Sequence, residues 1–208
     1  MTKDEKLDTA YSLKTPDDSR KLYGDWAESY EEDFVETSGY ILHIHVARAF
    51  SEAGGEGPVL DVGAGTGLVG EALAQFDPGE IDGTDISPEM LQQAAEKGVY
   101  RALFPGDILA GLGLPDGVYS GVVSAGTFTL GHVGPDGLDE VVRLLTSGGL
   151  AVIAVRDAHF TESGFEQKIA ELEPVLSEVG KTSVRIYAEG ADGPHADDQA
   201  ILLHLWKA

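Results

Sequence analysis

The run Val59-Leu60-Asp61-Val62-Gly63-Ala64-Gly65-Thr66-Gly67-Leu68-Val69-Gly70 constrains this chain more than any other stretch. It reads as a short apolar strand, a glycine-rich turn and the start of a helix. Glycine tolerates positive φ and carries no Cβ, so such a turn brings backbone N–H groups close to a ligand. Together with the N-terminus of the following helix they form a partly positive platform for an anionic or hydroxyl-rich group. A nucleoside cofactor is the expected occupant.

The surrounding pattern places this turn in an α/β sheet. Strands are expected over 58–62, 80–84, 100–104, 119–124 and 150–156, with helices over 67–76, 88–97 and 136–146. Ser87 reads as an N-cap with Pro88 just inside the second of these helices. Such alternation predicts a parallel sheet covered by helices on both faces. A longer helical region is expected over 161–179, where Phe165, Ile169, Leu172, Leu176 and Val179 fall in step and Pro174 kinks or divides it. The last two strand-like runs, 183–189 and 200–206, have no helix between them and should pair as an antiparallel hairpin.

Ahead of the sheet, residues 1–18 form a polar lead-in. Residues 19–34 read as a helix with Tyr23, Trp26 and Tyr30 on one face. A second helix is expected over 40–53, striped by Leu42, Val46, Ala49 and Phe50, before Gly54-Gly55-Glu56-Gly57-Pro58 breaks the chain. The division is therefore a lead-in with a helix able to act as a lid over 1–38, and a single domain over 39–208.

Composition removes several classes of function. Without cysteine there is no disulfide, thiolate metal site, iron–sulfur cluster or cysteine nucleophile. Acidic residues number 36 against 14 basic, a net charge of −22. A field of that sign repels phosphate backbones and anionic membranes, so neither nucleic acid nor a membrane is expected as a partner. Residues 1–14 lack the apolar core of a signal peptide, and no run is long enough to span a bilayer, so a cytoplasmic protein is expected. Monomer and homodimer stay open.

Two further elements complete a cofactor constellation. Gly83-Thr84-Asp85-Ile86 ends the second strand, where a carboxylate can accept hydrogen bonds from both hydroxyls of a ribose. Gly106-Asp107-Ile108 follows the third strand, where Asp107 can accept from an exocyclic amine and Ile108 can pack on a base. Each element is common alone; three in register at successive strand ends are not.

These residues resemble a known family. Asp61-Val62-Gly63-Ala64-Gly65-Thr66-Gly67 is similar to the first motif of the class I S-adenosylmethionine-dependent methyltransferases, and Asp85 and Gly106-Asp107-Ile108 to the second and third. The resemblance implies a Rossmann-like, seven-stranded, mostly parallel sheet with helices on both faces and an antiparallel C-terminal hairpin. It also implies S-adenosylmethionine as cofactor, with S-adenosylhomocysteine as product. Carried over, Gly63 and Gly65 approach the methionine moiety, Asp85 holds the ribose, and Asp107 with Ile108 meets the adenine. Asp61 orients the turn and reaches the methionine ammonium through water. Ala64, Ile86, Ser124 and Ala125 complete the expected binding set. Leu22-Tyr23-Gly24-Asp25-Trp26-Ala27-Glu28-Ser29-Tyr30 further resembles the branch related to the methyltransferase-like protein of the Williams–Beuren syndrome region. That branch implies an N-terminal segment covering the cofactor, which adds Tyr23, Trp26 and Tyr30.

The implied chemistry is methyl transfer by in-line displacement from a sulfonium. Alignment of the nucleophile supplies roughly 7–11 kcal/mol of barrier reduction, and a base is needed only where the acceptor must lose a proton. Ser124-Ala125-Gly126-Thr127 lacks the Asn/Asp-Pro-Pro-aromatic run of amino-methylating nucleic-acid enzymes, and carbon-5 cytosine methylation needs a cysteine. A small-molecule acceptor, methylated on oxygen or nitrogen, is the expectation. His132 and His159 lie just past the fourth and fifth strands, at the edge where open α/β sheets bind ligands, and are the candidate bases. His43 and His45 read as packing or surface residues, and no residue set suggests a metal. Two alternatives stay open: a non-catalytic module binding the same methyl donor, and a nicotinamide oxidoreductase, since Gly65-Thr66-Gly67-Leu68-Val69-Gly70 also satisfies G-x-G-x-x-G.

Overall fold

The computed structural model describes residues 16–31, 35 and 37–208. Its centre is a seven-stranded sheet in the order β3-β2-β1-β4-β5-β7-β6. The strands are β1 (Val59–Val62), β2 (Ile81–Asp85), β3 (Ala102–Pro105), β4 (Tyr119–Phe128), β5 (Leu145–Arg156), β6 (Leu176–Arg185) and β7 (Gln199–Lys207). The first five run parallel. β7 enters between β5 and β6 antiparallel to both. The mostly parallel sheet and the reversed C-terminal pair match the expected architecture.

Strand sequence explains why both faces are covered. Along β5, Ala151, Ile153 and Val155 enter one hydrophobic core while Leu150, Val152 and Ala154 enter the other. Along β7, Leu203 and Leu205 alternate with Leu202 and Ala200 in the same way. Side chains of a strand alternate faces, so a run apolar at every position must be buried on both sides. Helices α5 (Gly137–Leu144), α6 (Asp157–Glu162) and α7 (Phe165–Leu172) supply the first core. Helices α2 (Leu42–Glu52) and α3 (Leu68–Ala74) supply the second, joined by Trp26 at the end of α1 (Pro16–Trp26). Helix α4 (Pro88–Glu96) starts as expected: Ser87 Oγ accepts the Met90 N–H at 3.2 Å, with Pro88 in the first turn. Among the described residues no helix is long and apolar enough to cross a membrane.

One expectation fails. The region 161–179 is not one helix: α6 and α7 are separated at Gly164, whose φ is +86°, and helix ends at Leu172. Glu173–Val175 makes a 3₁₀ turn around Pro174, and Leu176 opens β6, seven residues before the expected start of that strand. Leu176 and Val179 pair with Lys207 and Leu205 of β7 and pack on the first core from the sheet edge. The offset between Leu176 and Val179 fits a helix on paper, but a register shift between Leu176 and Glu178 lets both face the core from a strand.

The N-terminal elements are tied to the domain at several points. The Lys97 ammonium reaches Glu31 at 3.1 Å and Glu71 at 2.7 Å, and Arg20 Nε donates to the Ile86 carbonyl at 3.3 Å. Further on, the Ile41 N–H donates to the Ile186 carbonyl at 3.0 Å and Ala188 N–H to the Gly39 carbonyl at 2.8 Å. The face expected on the first helix is formed, although the helix gives way to a 3₁₀ turn at Ala27–Ser29. Trp26 and Tyr30 ring centroids lie 5.0 Å apart, and Tyr23 stacks on Trp26 at 6.4 Å. Residues 1–15, 32–34 and 36 lie outside the described residues.

Candidate functional site

Strand order reverses between β1 and β4, because β2 and β3 lie to one side of β1 and the later strands to the other. A crevice opens at the carboxyl ends of the strands at such a point. Here it is lined by the β1 turn (Gly63, Ala64, Gly65), by Asp85 and Ile86 after β2, by Asp107 and Ile108 after β3, and by Ala125 of β4. Tyr23, Tyr30 and His132 close the side toward the N-terminal elements. Most of the residues expected from the sequence are therefore brought to one cavity.

The turn is pinned from below. The N–H groups of Gly63 and Ala64 both donate to the Thr84 carbonyl, at 2.8 and 2.9 Å. The Asp85 carboxylate accepts the Gly65 N–H on one oxygen and the Ser87 N–H on the other, each at 2.9 Å. Burial pushes the Asp85 carboxyl above its ordinary range, and the N–H groups of Ser87, Gly65 and Ile86 pull it back. Gly63 has a φ of +69° and its missing Cβ would fall on the Thr127 side chain. Gly65, at +54°, has nothing within 4 Å in that direction. One glycine makes room for protein, and the other leaves room for a ligand.

Three residues of the expected cofactor-binding set are not walls of this cavity. Ser124 is fully buried, and its hydroxyl donates to the Val62 carbonyl at 2.7 Å, stitching β4 to β1. Trp26 stands behind Tyr23 and Tyr30, in a second cavity beside the first. Asp61 lies beneath the turn: Oδ2 accepts the Tyr100 hydroxyl at 2.7 Å, while Oδ1 is buried without a partner. Tyr100 reaches it across Gly70, where any Cβ would strike the phenol ring. Burial pushes the Asp61 carboxyl up to about 7, against the lowering pull of the Tyr100 hydroxyl.

That shift predicts a pH dependence. Between its unfolded value of 3.8 and about 7, the folded protein holds a proton on Asp61 that the unfolded chain has released. Stability from this group is full at low pH and is lost as pH rises through about 7. The difference in thermal midpoint between wild type and Asp61→Asn should therefore change steadily from pH 4 to 7. A difference constant over that range would contradict the raised value.

The two candidate histidines part company. The His132 Nδ1 lies 3.1 Å from the Leu130 carbonyl, which can only accept, so Nδ1 carries the proton. Its Nε2 is buried without a partner. Burial holds its pKa below 6.5, so the ring is neutral at pH 7 with a bare Nε2. His159 is excluded as a base by its surroundings: it is 5% exposed, its Nε2 lies 3.0 Å from the Val133 carbonyl, and its Nδ1 lies 2.8 Å from the Ser163 hydroxyl. It packs edge-on against Phe165 and belongs to the core under α6 and α7. The sequence placed both at the right edge of the sheet, but position after a strand does not say which way a side chain turns.

One lining residue was missed. His43, read as packing or surface, borders the cavity with its Nδ1 buried and without a partner, stacked on Tyr40 at 5.6 Å. Its neighbours at the helical offsets, Val46, Ala47 and Phe50, are all buried. That spacing was the available signal that His43 faces inward.

Comparison with known proteins agrees with this geometry. A methyltransferase domain model matches residues 59–149, which contain β1 through α5. Methyltransferase-like protein 27 of Homo sapiens is 32% identical over 152 residues, covering 68% of this chain and 60% of the human protein. This chain carries a methyltransferase domain in the fold of the class I S-adenosylmethionine-dependent enzymes. The family's cofactor, S-adenosylmethionine, is the occupant that the cavity fits, with an open path over Gly65 and a carboxylate at the end of β2.

Other relatives vary in their reach. The 18S rRNA (guanine-N(7))-methyltransferase RID2 of Arabidopsis thaliana is 46% identical over 66 residues, 32% of this chain and 22% of the plant protein. The chain thus spans less than two thirds of either curated relative. Among solved methyltransferases, one from Thermotoga maritima shares the fold with a TM-score of 0.65 at 16% identity, covering 91% of this chain and 99% of its own. NodS from Bradyrhizobium japonicum, an N-methyltransferase solved with S-adenosylhomocysteine, gives 0.57 at 20% identity over 79% of this chain and 85% of its own.

Proposed function

We propose that this methyltransferase moves the methyl group of S-adenosylmethionine to an oxygen or nitrogen of a small-molecule acceptor, with His132 as the base. The observation that carries the reading is the bare, buried Nε2 of a neutral histidine bordering the cofactor cavity. Bound there, the cofactor supplies a methyl carbon already activated by its positive sulfur. The chain's own residues then do three things. Gly63 and Gly65 receive the methionine portion, and Asp61 beneath them orients the turn. Asp85 clamps the ribose hydroxyls, and Asp107 with Ile108 holds the base. Tyr23 and Tyr30, backed by Trp26, form a cover that excludes water, so the N-terminal helix that carries them acts as a lid on a catalytic domain over 39–208.

Two observations bear on the rivals. In a nicotinamide-binding turn, the third glycine of G-x-G-x-x-G serves helix–strand packing. Here Gly70 makes way for the Tyr100 hydroxyl on its path to Asp61, an arrangement that serves the turn's carboxylate. The match to the plant rRNA enzyme covers a third of the chain, and a net charge of −22 opposes any polyanionic substrate. A cytoplasmic, soluble setting suits both the charge and the small acceptor.

Asp85→Ala should weaken S-adenosylhomocysteine binding by about 1.5–3 kcal/mol, the scale of charge-assisted hydrogen bonds, as read by calorimetric titration. Unchanged affinity would remove Asp85 from the clamp. The catalytic reading is tested by following S-adenosylhomocysteine formation with a panel of small phenols and amines, and separately with ribosomal RNA. Product formed with a small acceptor and not with RNA is expected. Product with RNA alone, or with neither while the cofactor binds, would favour an RNA methyltransferase or a non-catalytic module.

A further inference from the structure

The second cavity adjoins the first and shares Tyr23, Tyr30, Tyr40, Gly126 and His132 with it. Its remaining walls are mainly apolar and aromatic, including Trp26, Phe128 and Tyr187. Tyr23 and Trp26 lie nearly parallel, 12° apart, and Tyr40 meets Tyr187 edge-on at 6.1 Å. Aromatic edges and faces in this arrangement favour a flat π-system as the guest.

The polar groups of the cavity narrow the choice. Thr129 Oγ1 and His132 Nε2 border it, both buried and without hydrogen-bond partners. A buried polar atom without a partner is costly, and two of them on one cavity point to a guest with a polar group of its own. Arg156 is the one charged side chain among the described residues lining the cavity, and it is ion-paired with Asp198 at 2.7 Å. Among the described residues no carboxylate lines this cavity, and the charge an ammonium would meet there is the cationic Arg156. A carboxylate or phosphate guest would meet an arginine already paired, in a chain of net charge −22. Neutral guests suffer neither penalty.

We infer that this second cavity is the acceptor subsite, and that it takes a neutral, flat aromatic ring carrying a hydroxyl group (a phenol) in preference to an amine. The inference rests on the proposed methyl-transfer function and names its substrate class. The ring lies among Tyr23, Trp26, Tyr40 and Tyr187, and its hydroxyl meets His132 Nε2 at the opening between the two cavities. In the transfer, the phenol oxygen forms its bond to the methyl carbon as the sulfur–methyl bond breaks. The sulfur keeps that bond's electron pair, and the phenolic proton passes to His132 Nε2. Thr129 is a positioning residue for the bound ring.

The test uses the whole chain saturated with S-adenosylhomocysteine, titrated calorimetrically with three probes of similar shape. These are 2-naphthol, 2-naphthylmethylamine as its ammonium, and 2-decalol, which keeps the hydroxyl and lacks the aromatic rings. Binding of 2-naphthol at least tenfold tighter than either other probe is expected. Thr129→Val should weaken 2-naphthol roughly tenfold, the loss of one hydrogen bond, and leave S-adenosylhomocysteine affinity unchanged. With S-adenosylmethionine, 2-naphthol should yield its methyl ether. Ammonium or decalol binding as tight as naphthol, or no naphthol binding by a protein that holds S-adenosylhomocysteine, would overturn the phenol assignment alone. Failure to hold S-adenosylhomocysteine would overturn the methyl-donor reading and this one with it. Should Thr129→Val not fold, the three probes on the wild type decide the matter.

Discussion

His132→Gln is expected to bind S-adenosylhomocysteine as the wild type does and to turn over roughly 10²–10⁴-fold more slowly, the usual worth of a positioned base. Glutamine keeps an amide that can still bond the Leu130 carbonyl, so the loop geometry survives while the basic nitrogen is gone. The pH profile separates a base from a structural residue. Burial holds the His132 pKa below 6.5, so the neutral, active form persists above that lowered value and wild-type activity falls only as pH drops through it. The variant should lose that limb, and its rate should rise with pH as a hydroxyl acceptor ionises by itself. A variant whose profile parallels the wild type at all pH values would remove His132 from the chemistry.

The second large effect comes from contrasting the two glycines of the turn. Gly63→Ala puts a methyl group onto Thr127 at a backbone φ of +69°. Left-handed strain and overpacking together make a destabilisation of about 2–5 kcal/mol the expected outcome. Gly65→Ala points its methyl into open cavity space at a φ of +54°. It should cost about 1–2 kcal/mol of stability for the backbone alone, yet weaken the cofactor more than tenfold by blocking its approach. Thermal unfolding and calorimetric titration of the two variants, side by side, give the check. If Gly65→Ala bound the cofactor normally, the turn would not be the surface that the cofactor meets.

What could be read in advance follows from how local each signal is. The β1 turn, Asp85 and Asp107 are set by residues adjacent in sequence at the ends of predictable strands, so their convergence was legible. So was Ser87, because an N-cap followed by proline is decided within four residues. The region after Leu172 was not, because its strand exists through pairing with β7, from Arg185 with Gln199 out to Leu176 with Lys207. Leu176 and Val179 satisfy a helical offset and a bulged strand equally well, and only the sheet edge decides between them. The same limit separates His132 from His159. Both follow strands at the carboxyl edge, yet one borders the cavity and the other is held by Val133 and Ser163 in the core. The second cavity was illegible for a related reason: its walls come from α1, the segment before α2 and its first residue, β4 and the loop after it, β5 and the loop after β6.

The central claim is that the crevice between the ends of β1 and β4 holds S-adenosylmethionine. Titrating the purified chain with S-adenosylmethionine, S-adenosylhomocysteine and NADH, under one set of conditions, tests it most directly. Saturable binding of the first two at micromolar concentrations, with no heat from NADH, is the predicted result. Binding of NADH alone, or of none of the three by a folded protein, would contradict it.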